Sequence, residues 1–158
     1  MGSESETSQR TIATIGSALR NMHTKMRELI KDLDREALNW NPHPEANSIA
    51  VLVNHTLGSE RELLAAVRGV TVTRDRPSEF VADAGEEELV EMLDRADAWL
   101  AEQADGMTAA DLLAERPRGN ESPQLGLAWL LISYGHAREH LAHMELTKQL
   151  VTHHRQGC

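Results

Sequence analysis

One pattern restricts the fold of this chain more than any other: apolar residues near its start recur at alternating intervals of three and four. This spacing places them on one narrow stripe of an α-helix, as in helical bundles. The predicted helix ends before Trp40-Asn41-Pro42-His43-Pro44, because two prolines there forbid its continuation. The stripe consists of Ile12, Ile15, Leu19, Met22, Met26, Leu29 and Leu33.

Two further helical patterns follow. The second predicted helix has its N-cap at Asn47 or Ser48 and stops at Gly69, a residue type common at helix C-termini. The third starts near Gly85 with acidic residues in its first turn, where the helix dipole favours them. Residues 69–84 between them form an irregular stretch, which is long enough for a crossover connection and too long for a tight helical hairpin.

The fourth long pattern runs from near Pro123 to about Leu150, and Thr108 is placed to cap one short turn before it. Aromatic residues make up only 3% of the chain, so aliphatic side chains and methionine must fill the core. That bias favours helices over sheets. We therefore predict an all-α four-helix bundle with a long crossover connection between helices two and three.

The length of 158 residues suits one domain. We predict a flexible N-terminus over 1–8, the bundle over 9–151 and a frayed C-terminus over 152–158. The first residues are polar and acidic and do not read as a secretory signal, and no apolar run reaches the length of a membrane span.

The formal net charge is −9, and no cluster of lysine and arginine offsets it. Such a surface repels a phosphate backbone, so we expect no nucleic-acid partner. The lone cysteine, Cys158, allows no internal disulfide, and this fits a reducing compartment. These features predict a cytoplasmic protein with no membrane partner.

Histidines dominate the chemistry of the last helix. At about 100° per residue, His136, His140 and His143 share one arc. His136 and His140 are four residues apart, the spacing that lets two imidazoles on adjacent turns reach one ion. By itself such a pair is more often incidental than metal-binding. The same arc contains Leu125, Trp129, Ile132, Thr147 and Leu150.

A metal site of this type usually takes at least three protein ligands, so a third must come from another helix. His55, midway along the second helix, is the natural candidate, although it lies on the shoulder of that helix's apolar arc. His143 can be a fourth ligand, a hydrogen-bond partner of a ligand or a core imidazole, and we favour the last two.

The other histidines have simpler predicted roles. His23 is expected on the flank of the first helix, His43 in a loop, and His153 and His154 in solvent. Glu60 falls within the apolar arc of the second helix. It is either a buried partner for a histidine or an arginine, or a carboxylate at the bundle end.

An ordered set of short segments resembles the DinB/YfiT-like superfamily, over about residues 10 to 151. The crossover carries two of them and the last helix carries the histidine pair. The segments are Leu38-Asn39-Trp40-Asn41-Pro42, Asn47-Ser48-Ile49-Ala50, Leu52-Val53-Asn54-His55, Arg74-Asp75-Arg76, Glu79-Phe80, His136-Ala137-Arg138-Glu139-His140, Glu145-Leu146-Thr147 and Gln149-Leu150.

The resemblance implies a four-helix bundle, often dimeric, that holds a divalent ion through one histidine of the second helix and two of the fourth. Carried over to this chain, the metal ligands are His55, His136 and His140. Relatives often have glutamine where this chain has His143. Family members with a known function tend to be thiol-dependent transferases or isomerases that use bacillithiol, mycothiol or glutathione.

Three functions remain open from the sequence. The first is a metal-dependent thiol S-transferase acting on a small electrophile, with zinc or nickel as the expected ion and a low-molecular-weight thiol as cofactor. The second is a metal-dependent hydrolase that activates water, for which Glu60 or Glu139 would serve as the base. The third is a non-enzymatic protein that binds metal or a small molecule. The expected assembly is a homodimer.

Overall fold

The computed structural model describes residues 2–157, with side chains from residue 5 onward. Over this part of the chain, the secondary structure consists of seven helices and one short hairpin, which confirms the predicted all-α class. In chain order, the elements are α1 (Gly2–Ile30), α2 (Arg35–Asn39), α3 (Ile49–Arg68), α4 (Arg76–Glu79), α5 (Glu86–Gly106), α6 (Ala109–Leu113), β1 (Glu115–Arg116), β2 (Gln124–Leu125) and α7 (Gly126–Arg155).

The four long helices α1, α3, α5 and α7 form the predicted bundle. Helices α1 and α3 each contact both α5 and α7, so the four enclose a common core. Burial of this aliphatic surface is the main stabilising contribution to such a fold. The largest fully buried side chains are Trp129, Leu19, Met26, Ile30, Leu38, Ile49, Leu63, Leu64, Leu89, Leu93, Leu100 and Leu141.

Helix α1 buries the predicted stripe from Ile12 to Leu29, with Ile15 only partly covered. The helix ends earlier than predicted. It stops at Ile30, Asp32 adopts a left-handed backbone with φ of 62°, and α2 then begins. Asp34 caps α2 by accepting a hydrogen bond from the backbone N–H of Ala37. A side chain that satisfies a free helical N–H in this way favours a new helix start over continuation.

The caps of α3 and the crossover agree with the sequence. Ser48 accepts a hydrogen bond from the backbone N–H of Val51 at the start of α3. Gly69 ends the helix with φ of 65°, a conformation that favours glycine. The crossover is irregular apart from α4, and α5 follows Gly85 with three glutamates in its first turn.

Helix α7 begins at Gly126 and not near Pro123, because the residues before it pair with another strand. Strand β2 runs antiparallel to β1, with Glu115 opposite Leu125. Gly126 packs so closely on the backbone of Asp111 that any Cβ would overlap its carbonyl oxygen. The indole N–H of Trp129 donates to the carbonyl of Arg116 at 2.8 Å, which fixes the hairpin to α7.

The arc of α7 that contains the histidines is rotated away from the centre of the core in the structure. Of its eight members only Trp129 and Thr147 are buried, whereas Leu125, Ile132, His143 and Leu150 are exposed. The core is filled instead from the neighbouring face, so His136 and His140 lie at the edge of the packed surface. The buried residues of α7 are Gly126, Trp129, Leu130, Ser133, Ala137, Leu141, Met144, Thr147 and Val151.

The chain ends are helical further than the sequence predicts. Helix α1 includes residues 2–8 and α7 continues to Arg155, whose guanidinium pairs with Asp34 at 2.8 Å. The flexibility of these ends stays a prediction, and Cys158 lies outside the described residues. Among the described helices, none combines the length and apolar character that a membrane span requires.

Candidate metal centre

Two helices supply the three predicted histidines. His55 lies on α3, and His136 and His140 lie one turn apart on α7. Each offers one imidazole nitrogen, and the three nitrogens lie within 4.8 Å of one another. The ring centroid of His55 is 5.1 Å from that of His136 and 5.2 Å from that of His140. The structure therefore brings together all three residues that the sequence singled out.

The two histidines of α7 are arranged as neighbouring ligands. Their Nε2 atoms are 3.1 Å apart and their rings are perpendicular. A tetrahedral ion with metal–nitrogen bonds of about 2.0–2.1 Å places ligand nitrogens about 3.3 Å apart. The spacing of His136 and His140 is thus close to what a shared ion requires.

His55 is oriented by a carboxylate from the crossover. Its Nδ1 lies 3.0 Å from Oε2 of Glu79, which is 5% exposed. A carboxylate can only accept, so Nδ1 carries the proton and Nε2 keeps its lone pair. This is the arrangement by which a carboxylate usually orients a metal-binding histidine. Glu79 was not recognised from the sequence as part of the site.

Glu79 is itself held in place by a chain of ion pairs. Arg74 donates from Nε and Nη2 to the two carboxylate oxygens of Glu79, at 2.7 and 2.8 Å. Its Nη1 donates to Glu62 at 2.9 Å, and Arg118 donates to the same oxygen at 2.8 Å. Gly58 on α3 leaves room for Glu79, because a Cβ there would overlap the carboxylate. The network ties the crossover and the hairpin loop to α3.

The three imidazoles are electrically neutral near pH 7. Burial, together with repulsion from His140 and His55, lowers the pKa of His136 to about 3. Burial also lowers the pKa of His140, and it lowers that of His55 more than Glu79 raises it. Neutral imidazole is the form that binds metal, so these ligands need not lose a proton at physiological pH.

The donor set fits a divalent ion. Three neutral nitrogens with no carboxylate among them suit zinc, nickel, copper or iron, and leave the ion's charge uncompensated. The histidines are not all held by hydrogen bonds to the same extent. His55 donates to Glu79, whereas the buried Nδ1 of His140 has no hydrogen-bond partner within the described part of the chain.

A cleft of about 740 Å³ opens beside the histidines. Phe80 stands next to it, with its ring 4.9 Å from that of His55. The volume is in the range of small-molecule sites. The cleft is lined by His55, Ser59, Glu62, Arg74, Arg76, Arg118, Gly119, Asn120, Glu121 and His136.

His143 is adjacent to the site but outside the group of three. Its ring centroid is 5.5 Å from that of His140, and its side chain is exposed. The interpretation of His143 as a core imidazole is therefore wrong. Glu139, one candidate base, is also exposed, although its charge acts on His140.

The predicted flank position of His23 is wrong: the residue is completely buried between three helices. Its Nδ1 lies 2.7 Å from Asp97 of α5 and its Nε2 lies 3.1 Å from Glu60 of α3. Glu60 is therefore the buried partner of a histidine, one of the two predicted roles, and is engaged away from the group of three. His43 lies in a loop, and His153 and His154 are exposed on α7, as predicted.

Comparison with known proteins agrees with this architecture. A family model described as the DinB superfamily matches residues 18–144, most of the chain. The chain belongs to the DinB superfamily. A search of curated proteins found no match.

Two solved structures share the fold of this chain. A conserved protein from Enterococcus faecalis is 16% identical with a TM-score of 0.73, and the match covers 89% of this chain and 96% of that one. A DinB-like protein from Bacillus cereus is 12% identical with a TM-score of 0.70, covering 83% and 86%. At these identities the likeness establishes the fold alone.

Proposed function

We propose that this DinB-superfamily protein is a metal-dependent thiol S-transferase that acts on a small electrophile in the cytoplasm, as a homodimer. The observation that carries the proposal is the group of three neutral imidazoles, with no carboxylate among the metal-binding atoms, at the wall of a cleft of small-molecule size. His55, His136 and His140 are the proposed ligands, and zinc or nickel is the proposed ion.

A divalent ion with three imidazole ligands would supply an open coordination position that lowers the pKa of an entering thiol. The protein's own residues determine how that position is presented. His136 and His140 supply two ligands from a single helix, so their separation is set by the α-helical repeat and by their side-chain rotamers. Glu79 sets the tautomer of His55, and Arg74 prevents Glu79 from turning away.

The placement of the acids supports a thiol cofactor over an activated water. A hydrolase of this type needs a general base facing the reacting centre. Glu60 is engaged by His23, and Glu139 is exposed to solvent. Glu79 is already occupied by His55 and Arg74. Of the two glutamates that line the cleft, Glu62 is paired with Arg74 and Arg118, and Glu121 approaches Arg118. A thiol has a lower pKa than water before either binds an ion, so it depends less on such a base.

The proposal is tested by calorimetry of metal-loaded protein with bacillithiol, mycothiol and glutathione, in buffers of different ionisation enthalpy. We expect one of the thiols to bind with proton release near neutral pH. His136→Ala should abolish the release, whereas His153→Ala, which removes an exposed histidine of the same helix, should not. Metal-loaded protein with no affinity for any of the three thiols would contradict the proposal.

A further inference from the structure

Arginines outnumber acidic residues in the lining of the cleft beside the histidines, although the net charge of the protein is −9. The cleft is lined by Arg74, Arg76 and Arg118 together with Glu62 and Glu121. The charges of the arginines act on the neighbouring histidine, since Arg74 and Arg76 both contribute to lowering the pKa of His55. An excess of positive charge in a cleft of an otherwise acidic protein favours the entry of anions over that of cations.

The three arginines differ in how far their donors are already used. Arg74 is 9% exposed and is occupied by Glu79 and Glu62. Arg118 donates from Nε to Glu62 and approaches Glu121 at 3.4 Å through Nη1. Within the described residues the Nη2 of Arg118 has no acidic partner, so part of this guanidinium remains available.

Arg76 is the unoccupied member of the set. It is exposed at the first residue of α4, and within residues 5–157 it has no acidic partner. Its guanidinium lies over the ring of Phe80 at 5.5 Å, and that ring in turn lies 4.9 Å from His55. Phe80 thus contacts both the guanidinium of Arg76 and the imidazole of His55, while the hydrogen-bonding edge of Arg76 has no acidic partner among the described residues.

We propose that this cleft binds a small molecule bearing a carboxylate or phosphate group, held by Arg76 and Arg118, with the molecule's reactive end at His55 and His136. The planar guanidinium matches the two oxygens of such a group. The reactive end rests on the proposed function, whereas the anionic end rests on the arginines alone. The anion can belong to the thiol cofactor or to the electrophile.

The first experiment tests the anion site in metal-free protein, so that binding cannot arise from an ion. The guanidinium N–H resonances are followed by NMR during titration with succinate at constant ionic strength, and with its neutral diamide as control. We expect saturable shifts at Arg76 and Arg118 with succinate only. In Arg76→Gln the succinate affinity should fall about 10-fold or more, the scale of a charge-assisted hydrogen bond.

Arg20→Gln is the matched control, because Arg20 is an exposed arginine of α1 whose partner is a serine. It should bind succinate as the wild type does. Equal affinities in the Arg76→Gln and Arg20→Gln variants would overturn the proposal. So would equal binding of the diamide, or shifts that never saturate.

The second experiment identifies which molecule carries the anion, using metal-loaded protein with glutathione and its diethyl ester. If the anion belongs to the thiol, glutathione should bind more tightly than the ester in the wild type, and Arg76→Gln should remove the difference. If the anion belongs to the electrophile, succinate and the ester should bind to the protein at the same time. Succinate binding without thiol binding would contradict the proposed transferase and leave the anion site intact.

Discussion

Replacing His23 by leucine is expected to destabilise the protein severely, although the residue lies outside the metal centre. His23 is fully buried and contacts Glu60, which is 3% exposed, and Asp97, whose side chain is 31% exposed. Leucine has a similar size but cannot donate to either carboxylate. Asp97 keeps its 2.7 Å pair with Arg27, so the loss falls mainly on Glu60.

The magnitude follows from leaving a buried carboxylate unpaired. Removing one partner of a buried ion pair costs about 3–5 kcal/mol, because the remaining charge is neither solvated nor compensated. We expect the lower part of that range, since Asp97 retains Arg27. The double variant His23→Leu/Glu60→Leu removes both partners and should recover about 2 kcal/mol or more relative to the single variant.

The pH dependence provides a second signature. Burial lowers the pKa of His23, but hydrogen bonds and charges from Glu60 and Asp97 outweigh it and raise the pKa above the ordinary 6.5. A group with a raised pKa stabilises the folded state fully below its unfolded pKa. That stabilisation is lost as pH rises through the folded value. The difference in stability between wild type and His23→Leu should therefore shrink as pH increases above about 6.5.

Urea denaturation followed by circular dichroism measures these free energies, with His153→Leu as the control for loss of an exposed histidine. The control should lie within about 0.5 kcal/mol of the wild type. A cost below about 1 kcal/mol for His23→Leu would refute the argument that the histidine compensates Glu60. A double variant no more stable than the single one would refute it as well.

Three further predictions concern the metal centre and the assembly. Glu79→Gln should lower metal affinity about 10- to 100-fold in a chelator competition, because glutamine orients His55 less strongly, whereas Glu121→Gln should leave it nearly unchanged. Removing the metal from the loaded wild-type protein with a chelator should lower the melting temperature. The free energy of unfolding falls by RT ln(1 + [L]/Kd), about 2.7 kcal/mol when the metal concentration is 100-fold above Kd. An unchanged melting temperature would contradict a metal site coupled to folding. Light scattering should report about twice the monomer mass of 17.6 kDa, and a monomer at every concentration would contradict the homodimer.

The bundle could be predicted because its determinants are local. The alternating three-four stripe of α1, the caps at Ser48 and Thr108 and the stop at Gly69 each act within a few residues. The break between α1 and α2 was missed because Asp34 competes with an apolar pattern that continues to Leu33. The periodicity of apolar residues predicts the stripe, but it takes no account of the competing helix cap at Asp34.

The orientation of α7 could not be obtained from its own sequence. Apolar residues occupy more than one face of this helix, so several arcs are comparably apolar. Packing selects the face that contains Leu130, Leu141 and Met144, because these side chains fill the space between α7 and the helices α1 and α3. The consequence for the site is favourable, since the rotation leaves His136 and His140 at the edge of the core.

The three histidines were identifiable by their spacing and by family resemblance, whereas the residues that support them were not. Glu79 is 24 positions from His55, in an irregular segment whose path no helical pattern predicts. Arg118 lies even further along the chain, in the hairpin loop. Both reach the site through tertiary structure, so their roles emerge only when the crossover is folded against α3.

Within one bundle, the same residue type has two opposite electrostatic environments. His23 faces two carboxylates, which raise its pKa and favour its protonated form, and it links α1, α3 and α5. His136 faces other imidazoles and arginines, which together with burial hold its pKa near 3 and keep its lone pair free. Burial alone favours the neutral form in both cases, so the neighbouring charges decide the outcome. His23, placed between two carboxylates, stabilises the fold, whereas His136, placed among imidazoles and arginines, is available to bind an ion.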